Sequence, residues 1–357
     1  MIFRVLHFEQ ELKATHRISI SIGHLLRKLG VGFSLLVLLV TFSTPKQSHF
    51  AKLEKPSVGP LLLRPSTETP GAPVPVLAYY YIWFDAQSWD HAKIDYPLLG
   101  RYSSDDANVM RQHIQWAKEA GINGFIVSWK GTDKLDHRLD QLIQIAEQEN
   151  FKLAINYESL NFNRAPLPED QIDADLTYFI DHYASNQVFD IFGKPMVIWS
   201  GTWRFSTQEI QNVVQDKRGH ILILASEKSI NGYGRLAQLV DGNAYYWSSV
   251  NPDTHSGYPK KLMAMGEAVH RNGGLWIAPA APGYDSRLLG GTTVIDRKGG
   301  ETLRTEIEAA LRSVPDAIGL ISWNEFSENS YVEPSQIYGR QYLEVLAETP
   351  LVTPNPK

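Results

Sequence analysis

Glu325 and Glu328 stand three residues apart in SWNEFSENSYVEP, residues 322–334. Two carboxyl groups held close together can divide an acid and a base role, because proximity raises one pKa and leaves the other ionised. If the chain turns helical there, the i, i+3 spacing puts both on one face with Cβ atoms about 5–6 Å apart. The plainer alternative is a solvated helix start whose acids are favoured by the helix dipole. What separates the two is the company the pair keeps. Seven of the nine tryptophans (Trp83, Trp89, Trp129, Trp199, Trp203, Trp247 and Trp323) end or follow short apolar runs. Tyr81, Tyr157, Tyr246 and Tyr284 occupy similar places, and Glu158, Asp285 and Asn324 supply polar groups among them. Aromatic faces stack on the C–H faces of sugar rings while carboxylates bond the hydroxyls, so this set suits a carbohydrate site. On that reading Trp129 is a stacking platform, and Trp129→Ala raises KM more than it lowers kcat. The other reading is that large aromatics merely fill the end of the fold.

Other chemistries find less support. The chain has no cysteine, which removes disulfides, thiolate metal sites and cysteine nucleophiles. None of the eleven histidines forms an H-x-H or H-x-x-x-H pair, and no Gly-x-Ser-x-Gly occurs. No metal or cofactor is therefore expected. The 34 basic and 39 acidic residues give a net charge of −5, the opposite of a nucleic-acid-binding footprint.

The elements that must hold these residues repeat in one rhythm beyond Val74. The apolar runs are residues 74–84, 124–129, 152–158, 195–200, 221–226, 242–249, 275–280 and 318–323. Each is rich in β-formers, bounded by Gly, Pro, Asn or Lys, and apolar almost throughout, as parallel strands covered on both faces are. Helical periodicity fills the gaps at 105–120, 135–149, 170–184, 260–271, 301–312 and 338–347. Ser206 with Glu209 forms a capping box, and the segment 234–239 carries the weakest helical pattern. Strand–helix alternation means a parallel sheet, and eight strands fit a (β/α)₈ TIM barrel over residues 74–350. In such a barrel the reactive groups lie at the C-terminal strand ends, which is where the residues above fall.

The first fifty residues are a separate object. LGVGFSLLVLLVTF, residues 29–42, is an uncharged apolar run directly behind Arg27 and Lys28, the pattern of a secretory signal. Fourteen residues fall short of the ~20 that span a bilayer, and no clean small-x-small site follows. A cleaved signal, an uncleaved single N-terminal membrane anchor and a buried core helix all remain open. Residues 51–73 read as a proline-rich linker. Both export readings make the barrel extracytoplasmic, secreted or anchored, and a monomer is expected.

With these residues in place, the chain resembles glycoside hydrolase family 99, the endo-α-mannosidase-like barrels and their relatives associated with polysaccharide biosynthesis. AYYYIWF (78–84), PLLGRYSSDD (97–106), AGINGFIVSWKG (120–131), GKPMVIWS (193–200) and ISWNEFSENSYVEP (321–334) carry the likeness over about residues 74–347. The resemblance implies a (β/α)₈ barrel that cleaves internal α-mannosidic links with retention, on an oligo- or polysaccharide partner. By position, Glu325 becomes the base toward the substrate 2-hydroxyl and Glu328 the acid/base. Tyr81, Trp83, Trp129, Tyr284 and Trp323 line subsites, with Arg297 a further polar contact. Ile82, Phe326 and Asn329 depart from the Pro, the Trp or Tyr, and the Gly that are usual there. A non-catalytic glycan-binding barrel in envelope polysaccharide assembly is the competing reading; it needs the aromatic rim but not both glutamates.

Deleting residues 1–50 is expected to leave a soluble, folded domain, measured by circular dichroism and gel filtration. Insolubility of that fragment beside a well-folded full chain in detergent argues against a separable leader.

Overall fold

The computed structural model describes residues 73–352 apart from Ala92. The expected leader, and the expected linker up to residue 72, lie outside the described residues. Eight parallel strands close into a barrel: β1 (Val76–Tyr81), β2 (Gly124–Trp129), β3 (Lys152–Glu158), β4 (Met196–Ser200), β5 (Leu222–Ala225), β6 (Gly242–Ala244), β7 (Leu275–Ala280) and β8 (Ala317–Leu320). Each pairs with its neighbours in sequence and β8 returns to β1. The helices between and after them are α1 (Ala107–Glu119), α2 (Asp133–Gln148), α3 (Glu169–His182), α4 (Thr207–Val214), α5 (Ile230–Gly234), α6 (Tyr258–Arg271), α7 (Glu301–Arg312) and α8 (Gln341–Glu348). A two-residue ribbon, Tyr284–Asp285 against Val294–Ile295, decorates the loop after β7. The (β/α)₈ barrel read from the sequence is the fold observed.

Local signals explain many of the boundaries. Asp106 accepts from Asn108 N–H to start α1, and Gly121 takes φ 78° just beyond its end. The Ser206–Glu209 capping box forms reciprocally at the head of α4. The weak fifth helix begins four residues earlier than its apolar pattern suggests, because Ser229 caps it by accepting from Gly232 N–H. β6 ends at Ala244 rather than Ser249; the chain then leaves the ladder and carries Tyr246 into a loop.

Strand side chains alternate, and in a closed barrel one parity faces the lumen while the other faces the helices. Leu77, Tyr79, Ile126, Ala154, Met196, Ile198, Leu224, Ala244 and Ile277 pack together inside the barrel. Val127, Trp129, Ile155, Tyr157, Val197 and Trp199 belong to the larger layer shared with Leu139, Leu142, Leu176 and Phe179 of the helices. Trp129 is the register partner of Tyr157, and Tyr157 of Trp199, so one choice of face sends all three outward.

This overturns the placement of Trp129, Tyr157, Trp199 and Trp323 at the mouth. All four are essentially fully buried. Trp129 Nε1 donates to Asp136 of α2 at 2.8 Å, and Tyr157 Oη donates to Asp175 of α3 at 2.8 Å. The Trp199 ring meets Phe205 edge-on, and Trp323 packs on Phe125 and on His113 of α1. The sequence reading keyed on residue type at the strand ends and did not carry the pleat parity through. Trp129→Ala is therefore expected to cost about 3–5 kcal/mol of stability, as large core truncations do, checked by urea unfolding. A stable variant with a selective rise in KM restores the stacking role.

Candidate active site

At the C-terminal end of the barrel the inward parity delivers Tyr81 from β1 and Glu158 from β3, and the loops deliver the rest. Beyond the last β8 ladder pair, Trp323 N–H still donates to Tyr79 O at 2.8 Å. Asn324 then takes over with its side chain. Its Oδ1 accepts from Tyr81 N–H at 2.9 Å and its Nδ2 donates to Tyr81 O at 2.9 Å. The carboxamide thus satisfies both backbone groups of Tyr81 while the main chain turns away. Glu325 follows at once.

No helix forms here; residues 326–329 make a turn, which corrects the helical geometry expected for the pair. Glu325 N–H donates to Ser322 Oγ at 2.8 Å, and Glu325 Oε1 accepts from Ser327 N–H at 3.0 Å. Asp285 N–H donates to Glu328 O at 2.7 Å, which ties the turn to the loop after β7. Asn329 takes the left-handed conformation, φ 50°, at the position where glycine is usual. Asn tolerates that region better than most residues, so the turn survives the substitution. Phe326 is buried, stacked on Tyr331 with centroids 3.9 Å apart and edge-on to Trp89.

The two carboxyls feel each other. Burial, then the charge of Glu328, pushes the Glu325 pKa up to about 7; the Ser327 N–H and Lys93 act in the opposite direction. Lys93, half-buried in the loop after β1, is drawn down to about 8 by desolvation, with Glu325 working against that shift. Tyr81 and Tyr246 share a hydroxyl–hydroxyl bond of 2.8 Å beside the pair. Burial, and then charges that include both glutamates, raise each of these phenols well above its ordinary range. Burial followed by Glu328 lifts Tyr284 to about 12. Trp83 stacks on Tyr81 at 4.4 Å and is 37% exposed. Glu158 accepts from Ser128 Oγ at 3.1 Å and Asn156 Nδ2 at 2.8 Å.

The structure therefore brings Tyr81, Trp83, Glu158, Tyr246, Tyr284, Glu325 and Glu328 to one place. Asn324, Asp285 and Arg297 lie beneath it as struts rather than in the opening. Asp285 is bound by Arg287 through both carboxylate oxygens. Arg297 is buried and donates through Nη2 to Asn329 O and Tyr331 O, its guanidinium about 4.5 Å over the rings of Tyr331, Tyr338 and Tyr342. Sequence reasoning missed Lys93, Ser322 and Ser327, whose types and spacing carry no signature. It also missed the buried chain behind Asn324. There Tyr102 Oη meets Asn324 Nδ2 at 3.3 Å and donates to Glu333 at 2.9 Å, and Glu333 pairs with His113 at 3.0 Å.

Because the folded Glu325 pKa lies above the ordinary 4.5, the native state holds that proton more tightly than the unfolded chain. Stability should then fall as pH rises from about 4.5 to 7, with the penalty complete above 7. Glu325→Gln is expected to raise Tm by roughly 2–6 °C at pH 8 and to change it little at pH 4. A Tm at pH 8 equal to or below the parent's overturns the raised pKa.

The model of Glycosyl hydrolase family 99 matches residues 82–350. The glycoprotein endo-alpha-1,2-mannosidase-like protein of Mus musculus is 24% identical over 332 residues, covering 75% of this chain and 72% of its own. The glycoprotein endo-alpha-1,2-mannosidase of the same organism is 24% identical over 266 residues, 67% of this chain and 56% of its own. Among solved structures, the endo-alpha-mannosidase of Bacteroides thetaiotaomicron superposes with a TM-score of 0.67 at 21% identity, covering 76% of this chain and 95% of that one. At that identity the superposition speaks for the fold.

Proposed function

The chain belongs to Glycosyl hydrolase family 99, and from that premise we propose that it cleaves internal α-mannosidic linkages of mannose-containing glycans with retention, through Glu325 and Glu328. The observation that carries this reading is the pair itself: a buried glutamate whose pKa a second glutamate raises to about 7, beside two hydrogen-bonded tyrosines. A non-catalytic glycan-binding barrel has no use for two acids forced together at a cost in stability.

The pair titrates as a unit, keeping one proton up to about pH 7. Lys93 and the Ser327 N–H work against the rise at Glu325, and the reaction draws on the arrangement of the shared proton in which Glu325 carries the charge. Glu325 then removes the proton of the substrate 2-hydroxyl as O2 attacks C1. Glu328 protonates the departing glycosidic oxygen, leaving a three-membered 1,2-anhydro sugar. Glu328, now a carboxylate, takes a proton from water as the water oxygen bonds C1. O2 recovers its proton from Glu325, and two inversions at C1 give net retention. Trp83 and Tyr81 form the stacked edge on which a sugar ring rests, and Tyr246, Tyr284 and Glu158 bond hydroxyls. The apolar run at 29–42 supports export, so the reaction is placed outside the cytoplasm, and no cofactor is called for.

Glu325→Gln and Glu328→Gln should each lower turnover of a natural glycan by about 10²–10⁴-fold while preserving ligand binding. On an aryl mannoside whose leaving group needs no proton, Glu328→Gln should keep a measurable first step and Glu325→Gln should not. In the parent, kcat/KM on the natural glycan should decline above about pH 7 as the pair loses its last proton. Efficient cleavage of a 2-deoxy substrate contradicts the 2-hydroxyl route, and full activity in both variants contradicts the assignment of the pair.

A further inference from the structure

The loops after β3, β4 and β5 carry Arg164, Arg204 and Lys228, all exposed. None of the three takes part in an ion pair among the described residues, whereas several other arginines and lysines do. Arg287 holds Asp285, Lys298 holds Asp253, Arg101 holds Asp90 and Arg340 holds Glu119. The acids near the unmatched set have other partners. Glu227 is buried against Arg235 at 2.7 Å, and Glu158 lies between Ser128 and Asn156. A chain with a net charge of −5 thus carries, in three successive loops, exposed cations that join no ion pair among the described residues.

Those loops are built as well as charged. Trp203, in the loop after β4, is 37% exposed, and Lys228 Nζ lies 3.8 Å from its ring centroid. Partial desolvation, then repulsion from Arg164, pulls Lys228 below the usual lysine range, while Glu227 acts in the other direction. After burial and Glu328, Arg164 also acts on Tyr284 in the loop after β7, in the lowering direction. In the closed strand order β4 stands opposite β8, so the loop that carries Trp203 leaves the barrel on the side opposite the turn that carries Glu325 and Glu328. Two neighbouring cations that repel each other are at a disadvantage in the free protein, and an arriving anion relieves them. An anion beside the glutamate pair is instead repelled, so a charged glycan fits only with its charge on the far side.

We propose that Arg164, Lys228 and Trp203 form a subsite for a negatively charged substituent of the glycan, a carboxylate, sulfate or phosphate on a sugar removed from the scissile linkage. The proposal rests on reading Glu325 and Glu328 as the reacting pair and adds the substrate class: an acidic mannose-containing polymer.

The test uses the full chain as Glu325→Gln, so that ligands bind without turnover, and four mannose oligosaccharides of equal length: neutral, phosphorylated, sulfated and uronate-bearing. At least one charged form should bind about tenfold more tightly than the neutral one, and the three charged arms identify the substituent. The preference should shrink to about twofold when ionic strength rises from about 0.05 to 0.5 M, as expected of exposed charges. Adding Arg164→Gln and Lys228→Gln, both exposed positions, should bring the neutral-to-charged ratio near one, while Arg271→Gln on α6 keeps it. Equal binding of all four, tighter binding of the neutral form, or a preference that survives the double substitution overturns the subsite. Cleavage of neutral oligosaccharide by the parent without any charged preference overturns the subsite alone. Tighter binding of a charged form, lost in the double variant, with no cleavage of any of the four by the parent, overturns the hydrolase reading and leaves the subsite standing.

Discussion

One side chain closes the barrel where its chemistry begins. β8 ends four residues before Asn324, and its ladder to β1 covers only Val76 to Ala78. Without a substitute, the N–H and C=O of Tyr81 would be left unpaired in a buried seam, at a cost of about 1–3 kcal/mol each. The Asn324 carboxamide presents a donor and an acceptor with peptide-like spacing and meets both groups at 2.9 Å. The main chain is thereby free to turn inward. Tyr81 and Glu325 come to neighbouring positions because the residue that bonds one immediately precedes the other.

The supports beneath this link show why so many polar groups lie under the site. Asn324 is held in its amide orientation by Tyr102, Tyr102 by Glu333 and Glu333 by His113. Arg297 fixes the far side of the turn through Asn329 and Tyr331 and is itself wedged among three tyrosine rings. Asp285 holds Glu328 from the third direction through its own backbone. A turn that keeps two carboxyls together against their mutual repulsion has to be constrained on every side, since any loose flank lets the charges separate. The buried Arg, Glu and His are the means of that constraint.

The fold was legible because strand and helix periods dominate the chain beyond Val74 and every strand is apolar on both faces. The same apolarity hid the parity. When both faces of a strand are buried, composition does not say which side is the lumen. Trp129 and Ser128 are equally plausible inward residues until the register is known. The register makes Ser128, with Asn156, the inward residue and leaves the aromatics under the helices. The carboxyl pair was legible from its local spacing, although a turn rather than a helix joins its members. Lys93, Tyr102 and His113 were not, because their contacts span up to 231 residues and leave no trace in local pattern.

Removing the outward tryptophans from the rim changes what the opening is. Of the seven expected there, only Trp83 and Trp203 are exposed, and they stand on well-separated arcs of the mouth, after β1 and after β4. Two isolated rings cannot line a continuous aromatic groove. Along such a surface, stacking selects the positions at which sugars rest, and polar and charged groups between them have to supply the discrimination. Those groups are mixed: tyrosines, the glutamate pair and Lys93 beside β1, β6 and β8, and Glu158 with the exposed Arg164, Arg204 and Lys228 beside β3, β4 and β5. An opening with the glutamate pair in one loop and exposed cations in the loops opposite orients a polymer whose own charge is uneven. It gives a uniformly neutral chain no electrostatic reason to prefer one direction.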